Sequence, residues 1–430
     1  MLKTLVNAFR IAEIRKKLLI TGLLIVIYRL GCALPIPGVN AAYIQSAVGS
    51  YQALGFLNLL SGGSLAQYSI FAMGISPYIT GSIIMQLLQI AVPALERMGK
   101  EEDGRERLQQ ITRYVGVGLA LVQSVGIILS LGDQAVYNPG FFTYATIGVI
   151  ATAGSAFLMW LGERITENGI GNGISMIIFT SIVSQLPTTV FQIGGDLALG
   201  GTVYQWWMVP VLLILVAVVV TLVVFVNEGE RRVPVQYAKR VVGRKMYGGQ
   251  STHIPMKANA NGVMPLIFAM TITQLPLMLM QILGATPNEL TGETGGRFYA
   301  FYSLYLGNGT VVYYVVYALL IIAFAYFYTT ISFNPIEMSK NLQQYGGFIP
   351  GIRPGRSTSD YLHRISSRLT LFGALFLAVI AIVPNLILQL MGINSPFGPT
   401  SVLIIVSVAL ETMEQLENQM LMRHYKGFLN

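Results

Sequence analysis

"LLSGGSLAQY", Leu59–Tyr68, runs straight into "SIFAMGISPYITGSIIMQLL", Ser69–Leu88, and the fold turns on these two pieces. The second is long enough to span, because a helix of about 20 mostly apolar residues crosses the ~30 Å hydrocarbon layer. The first, as a roughly ten-residue helix, would be ~15 Å long, half a membrane. Non-spanning chain at that depth is tolerated only when protein or a water-filled cavity surrounds it. The pair therefore predicts a helical membrane protein in which one short segment is either an external re-entrant loop or lies at depth with protein or a water-filled cavity around it.

Composition agrees. The chain has 430 residues, 53% of them hydrophobic and 11% charged, against roughly 25% charged in soluble domains. The alternation of a membrane barrel is absent. One cysteine, Cys32, excludes an internal disulfide. The start, "MLKTLVNAFRIAEIRKK", lacks a short apolar core and small-residue cleavage site, so the first span is expected to stay. Leu2, Leu5, Val6 and Phe9 share one helical face opposite Lys3, Asn7 and Arg10, which suits an interfacial helix, the alternative being a solvated leader helix.

Ten spans are expected, at 18–37, 70–92, 114–132, 142–162, 174–193, 204–226, 263–283, 312–332, 369–391 and 399–419. The last runs out into water as an amphipathic helix carrying Glu411, Glu414 and Glu417. With the N-terminus inside, 25 of the 27 basic residues fall on inside segments, leaving Arg297 outside and Arg29 within the first span. That asymmetry supports both span count and orientation and puts both termini in the cytoplasm. Two inside loops, 227–262 and 333–368, are long for connections without function. The first alternates around a basic tip like a hairpin and the second is punctuated by "GGFIPGIRPGRS". Both read as docking loops, and the basic face suits anionic lipid heads, nucleic acid phosphates or an acidic protein.

Catalytic signals are missing. No phosphate loop, nucleotide fingerprint, metal-spaced cluster or nucleophile–base pair occurs, and no metal or cofactor is expected from three scattered histidines. Intramembrane carboxylates, which mark coupled ion paths, are absent too. Arg29 either snorkels to the outer interface or meets a buried partner. Gly74, Gly81 and Ser82 read as close helix contacts and Pro77 as a kink. What remains is a passive pore or gate whose energy comes from elsewhere, with a secondary transporter of a small solute as the alternative.

Two segments narrow this choice. Ser69–Leu88 and "WLGERITENGIGNGISMII", Trp160–Ile178, resemble the two signature segments of the SecY family, the channel subunits of the bacterial protein translocase. The first departs only at Gly81, where alanine or serine is usual. "RLGCALPIPG" (29–38), "QYAKR" (236–240), "STHIPMK" (251–257) and "YGGFIPGIRPG" (345–355) match in order along nearly the whole chain.

The resemblance implies an all-α polytopic membrane protein. Its ten transmembrane helices would form two inverted pseudo-symmetric halves, 1–193 with spans 1–5 and 194–430 with spans 6–10. An odd number of spans per half is consistent with inversion. A short plug helix is implied at about 57–68, with Leu60, Ser61, Gly62, Gly63, Ser64 and Leu65 at its centre, weakened by its glycines and by Ser61, Ser64 and Gln67. A pore ring of Ile75, Ile79, Ile174, Ile178, Ile267 and Ile404 is implied, apolar side chains that offer ions no replacement for hydration.

A lateral gate is implied between the second and seventh spans. Thr80 and Gln86 either make polar contacts across it or are satisfied within their own helix. Arg240, Arg244 and Arg353 match the loops used by the SecA motor and the ribosome. The implied partners are SecE and SecG subunits, SecA ATPase, ribosome, signal sequences and preproteins, anionic lipids, a membrane insertase and accessory Sec proteins. The implied location is the bacterial cytoplasmic membrane, and the implied function is to pass unfolded secretory chains across it and release hydrophobic segments sideways into it.

Overall fold

The computed structural model describes residues 8–50, 52–198, 205–237, 240–242, 245–247, 251–282, 297–307, 309–391 and 398–426. In chain order the helices are α1 Ala12–Cys32, α2 Ala41–Ser50, α3 Gln52–Leu60, α4 Ser76–Ala91, α5 Pro93–Lys100, α6 Glu102–Ser130, α7 Phe141–Asn168, α8 Gly173–Ala198 and α9 Met208–Glu228. After them come strands β1 Glu230–Tyr237, β2 Arg240–Val242, β3 Lys245–Tyr247 and β4 Ser251–Lys257. The remainder is α10 Met264–Ile282, α11 Arg297–Tyr305, α12 Val311–Ser332, α13 Pro335–Gln344, β5 Gly347–Phe348, α14 Arg356–Leu390 and α15 Pro399–Lys426.

Six helical stretches among the described residues are long and apolar enough to cross a membrane: Asp103–Ser130, Phe141–Asn168, Gly173–Ala198, Met208–Glu228, Val311–Gln344 and Arg356–Leu390. They coincide with the expected third to sixth, eighth and ninth spans. The pair α4 and α5 meets the same standard only as one span bent by 108°. The expected second span, 70–92, is helical only from Ser76, because 69–75 runs as turns with Gly74 at φ +57°. Pro77 consequently sits in the first turn of α4, where its missing N–H costs nothing, and it does not kink a span as the sequence suggested.

The chain divides into two compact units. One is drawn from 1–209, 273–307 and 392–430, the other from 210–272 and 308–391. In the first unit a buried cluster joins Ile36, Val39 and Ile44 to Leu65, Tyr68 and Met73 and to Ile127, Ile128 and Ile147. Gly81 of α4 meets Gly116 of α6, and a Cβ on Gly81 would stand 3.1 Å from the Gly116 nitrogen. The unusual glycine at this position therefore marks a near-backbone helix contact, which small residues permit.

In the second unit, β4, β1 and β5 form an antiparallel sheet in that order. The hairpin expected from alternation is present: Val233 and Val235 of β1 are buried against Leu342, Ile349, Leu362 and Ile365, while their neighbours face outward. Gln236 pairs with Phe348 and Tyr237 with Gly347, so the two long loops are stitched into one platform. Asn261 ties the base of the hairpin to α12, donating to the Ala325 carbonyl at 2.9 Å and the Thr329 hydroxyl at 2.7 Å.

Candidate functional site

The segment expected to be a plug is built differently from a plain helix over 57–68. Helix α3 ends at Leu60 and residues 61–75 continue as successive tight turns. The reason lies in the glycines: Gly62 has φ +69°, a left-handed conformation that other residues adopt only at a cost. Asn58 closes the turn, accepting from Gly63 N on its carbonyl at 2.8 Å and from Ala66 N on its side chain at 2.9 Å. Ser64 is fully buried, and its hydroxyl lies 2.7 Å from the Phe71 carbonyl and 2.9 Å from that of Ser61. Ile36 N donates to the Tyr68 carbonyl and Ile70 N to that of Leu34, which sews the segment to the chain leaving α1.

One helix reaches onto this turn and a second backs it. From α1, the Tyr28 hydroxyl donates to the Ser61 carbonyl at 3.1 Å, and Arg29 Nη1 donates to the Gly62 carbonyl at 3.1 Å. From α8, Ser181 Oγ lies 2.6 Å from the Tyr28 hydroxyl and Ser184 Oγ accepts from Arg29 at 2.8 Å. Arg29 thus has buried partners and does not rely on snorkelling. The Phe71 ring stacks on Tyr28 with centroids 6.0 Å apart and lies over Gly31, where any side chain would collide with it. A hydrogen bond typically contributes about 1 kcal/mol net, and one from a charged donor about 1.5–3 kcal/mol. The segment is held by directed polar contacts, a firmer hold than the weakly apolar helix its serines and glycines imply.

The isoleucines fall in four places. Ile75 precedes α4, where its carbonyl accepts from Ile79 N at 3.1 Å, and both side chains are buried. Ile174 is half-buried at the start of α8, packed towards Gly162, and Ile178 one turn later is buried. Ile404 is buried on α15 of the first unit, and Ile267 is buried on α10 within the second. Thr80 donates to the Ser76 carbonyl at 3.1 Å and Gln86 to the Ser82 hydroxyl at 3.2 Å, each within α4.

The second signature segment is a tight α7–α8 turn. A Cβ on Gly173 would run into the Gly162 carbonyl, so only glycine allows this approach. Asn172 caps α8 by accepting from Ile174 N at 3.1 Å, Thr166 Oγ1 accepts from Gly173 N at 2.9 Å, and Ile170 N donates to Thr21 of α1 at 3.1 Å. Beside it, Arg113 of α6 pairs with Glu163 of α7 at 2.6 Å.

Of the docking arginines, Arg353 is exposed between Ile352 and Pro354, and its carbonyl accepts from Thr358 Oγ1 at 2.9 Å. Ser339 Oγ donates to the Gly355 carbonyl at 2.7 Å, which fixes the base of the same turn. Arg240 begins β2, and Arg244 lies outside the described residues. Tyr28, Ser181 and Ser184 were not foreseen as site residues. Their signal was available as polar side chains inside apolar helices, but their shared target was not.

The SecY family model matches residues 69–413. Protein translocase subunit SecY of Streptomyces galbus is 45% identical over 449 residues, covering 100% of both chains. A solved structure, described as the plug domain of SecY stabilising the closed state of the translocation channel and maintaining a membrane seal, is similar with TM-score 0.66 and 20% identity, covering 94% of this chain and 92% of that one. Sec61 in a canine ribosome-channel complex from the endoplasmic reticulum is similar with TM-score 0.62 and 19% identity, covering 94% and 92%.

Proposed function

Because the chain belongs to the SecY family, we propose that residues 57–68 are the plug that keeps its protein-conducting path shut at rest. The chain is an all-α, multi-pass channel subunit of a protein translocase and not an enzyme. One observation carries the proposal about the plug. A half-membrane apolar segment with breaks at its glycines is folded back as buried turns and held by side chains of two other helices. Such a piece can close a path at rest, and to leave it gives up those hydrogen bonds and the burial of Leu65 and Tyr68.

In the same reading, ten spans form two inverted halves, 1–193 and 194–430, with both termini cytoplasmic. That orientation rests on the distribution of basic residues. Ile75, Ile79, Ile174, Ile178, Ile267 and Ile404 form the apolar gasket, and Thr80 and Gln86 border a lateral gate through which hydrophobic segments leave. Arg353, with Arg240 and Arg244, receives the SecA motor or the ribosome. Arg353 suits this role because a guanidinium on a fixed turn presents five donors to carboxylate or phosphate. SecE and SecG complete the channel, with preproteins, anionic lipids, an insertase and accessory Sec proteins as further partners.

The test is deletion of 60–67. In planar bilayers the deleted channel should leak ions at rest and still translocate. Unchanged resting conductance together with unchanged signal-sequence selection would remove the plug from this account.

A further inference from the structure

We propose that Tyr28, Arg29, Ser181 and Ser184 form a polar latch on the turn Ser61–Gly62. The latch sets how strongly a translocating segment must act before the plug leaves, and so which segments open the channel. The inference rests on the reading of 57–68 as a plug and adds the residues that hold it.

The geometry is one-sided in a telling way. The two bonds onto the turn end on its main-chain carbonyls and begin on Tyr28 and Arg29 of α1, while Ser181 and Ser184 of α8 bond those two side chains, so the turn can depart without altering either helix. Tyr28 and Ser181 have one hydroxyl proton each. The Ser181 hydroxyl lies 2.8 Å from the Ile177 carbonyl as well as 2.6 Å from the Tyr28 oxygen, and in the arrangement where it donates to Tyr28, Tyr28 donates to the Ser61 carbonyl at 3.1 Å. Ser184 donates to the Ser181 carbonyl at 2.7 Å, which leaves its lone pairs for Arg29. Arg29 therefore binds two neutral oxygens, one on the turn and one on α8.

Gly62 is the matching part on the turn. A Cβ there would stand 2.8 Å from Arg29 Nη1, 3.1 Å from the Tyr28 hydroxyl oxygen and 3.1 Å from the Ser181 Cα. The missing side chain is what admits all three groups at once. Opening removes these bonds together, and a water-filled path can rehydrate every freed group, so the latch resists opening without making it irreversible. A segment that engages the channel weakly would not recover that cost, whereas a strongly engaging one would.

The experiment compares Tyr28→Phe, Ser184→Ala and their combination with the deletion of 60–67, all in the full chain with its partner subunits. Tyr28→Phe keeps the ring on Phe71, so a purely structural role would be preserved. Resting conductance in planar bilayers and translocation of a preprotein with a defective signal sequence are read together. Each single change should raise both several-fold, since one hydrogen bond of average strength corresponds to about a fivefold population shift. The combination should approach the deletion. Should the latch variants fail to assemble, Gly62→Ala keeps every latch side chain and should give the same leak. A leaky deletion beside latch variants that match the unaltered channel would overturn the latch and leave the plug standing. A deletion that does not leak would overturn both.

Discussion

Arg353 shows what a single residue does in this account. Its side chain is exposed, yet its backbone is fixed by Thr358 on one side and by the Ser339–Gly355 hydrogen bond on the other. Arg353→Glu should leave the protein inserted and partnered while strongly reducing SecA-dependent translocation, which a preprotein protection assay reads directly; a near-normal rate would argue for an ordinary solvated charge. Gly173 works through space alone. Gly173→Ala would push α8 away from the Gly162 carbonyl, and overpacking of this kind costs about 1–3 kcal/mol. A lowered melting temperature of the detergent-solubilised protein would show it, with Gly118→Ala, where a Cβ meets open space, as the neutral control. The gasket reading belongs here too. Replacing Ile79 and Ile178 together by glycine should raise resting ion leakage, and an unchanged conductance would place the constriction elsewhere.

At the scale of elements, the platform and the plug teach opposite lessons about reading a sequence. The hairpin β1–β4 was legible because Val233 and Val235 alternate with polar neighbours around a basic tip. Its pairing with β5 was not: Gly347–Phe348 is two residues long, carries no periodic pattern, and meets β1 across more than a hundred residues of chain. For the plug, the glycine breaks and the half-membrane length were visible in Leu59–Tyr68. Its hold was not, because Tyr28 and Arg29 reach the Ser61 and Gly62 carbonyls, with Ser184 backing Arg29, only once the fold is made. The late start of α4 was hidden for a similar reason, since hydropathy counts Ile70–Met73 as span while their backbone turns. The platform yields a prediction. Val235→Asp would bury a carboxylate among Leu342, Ile349 and Leu362, and a buried unpaired charge is strongly disfavoured. Limited proteolysis should then cut both loops, including the one carrying Arg353; cutting confined to 227–262 would mean that the sheet does not couple them.

For the whole molecule, the physical logic is that of a passive path. No carboxylate falls inside an expected span before the last one runs out into water, and the one charge in the first span, Arg29, is engaged with the Gly62 carbonyl. On the proposed reading, work comes from a motor or a ribosome, and selectivity from what must be displaced before the path opens. Two compact units, one carrying the segment proposed as the plug, the other the sheet proposed for docking, fit that division of labour. The most direct measurement places the chain with its small partner subunit in proteoliposomes, adds SecA and a preprotein, and follows protection from external protease. Full-length preprotein should become protected only when ATP is supplied, and more of it, with a defective signal, when residues 60–67 are deleted. Uptake of a small solute by the same vesicles, with no ATP-dependent protection of the preprotein, would contradict the account.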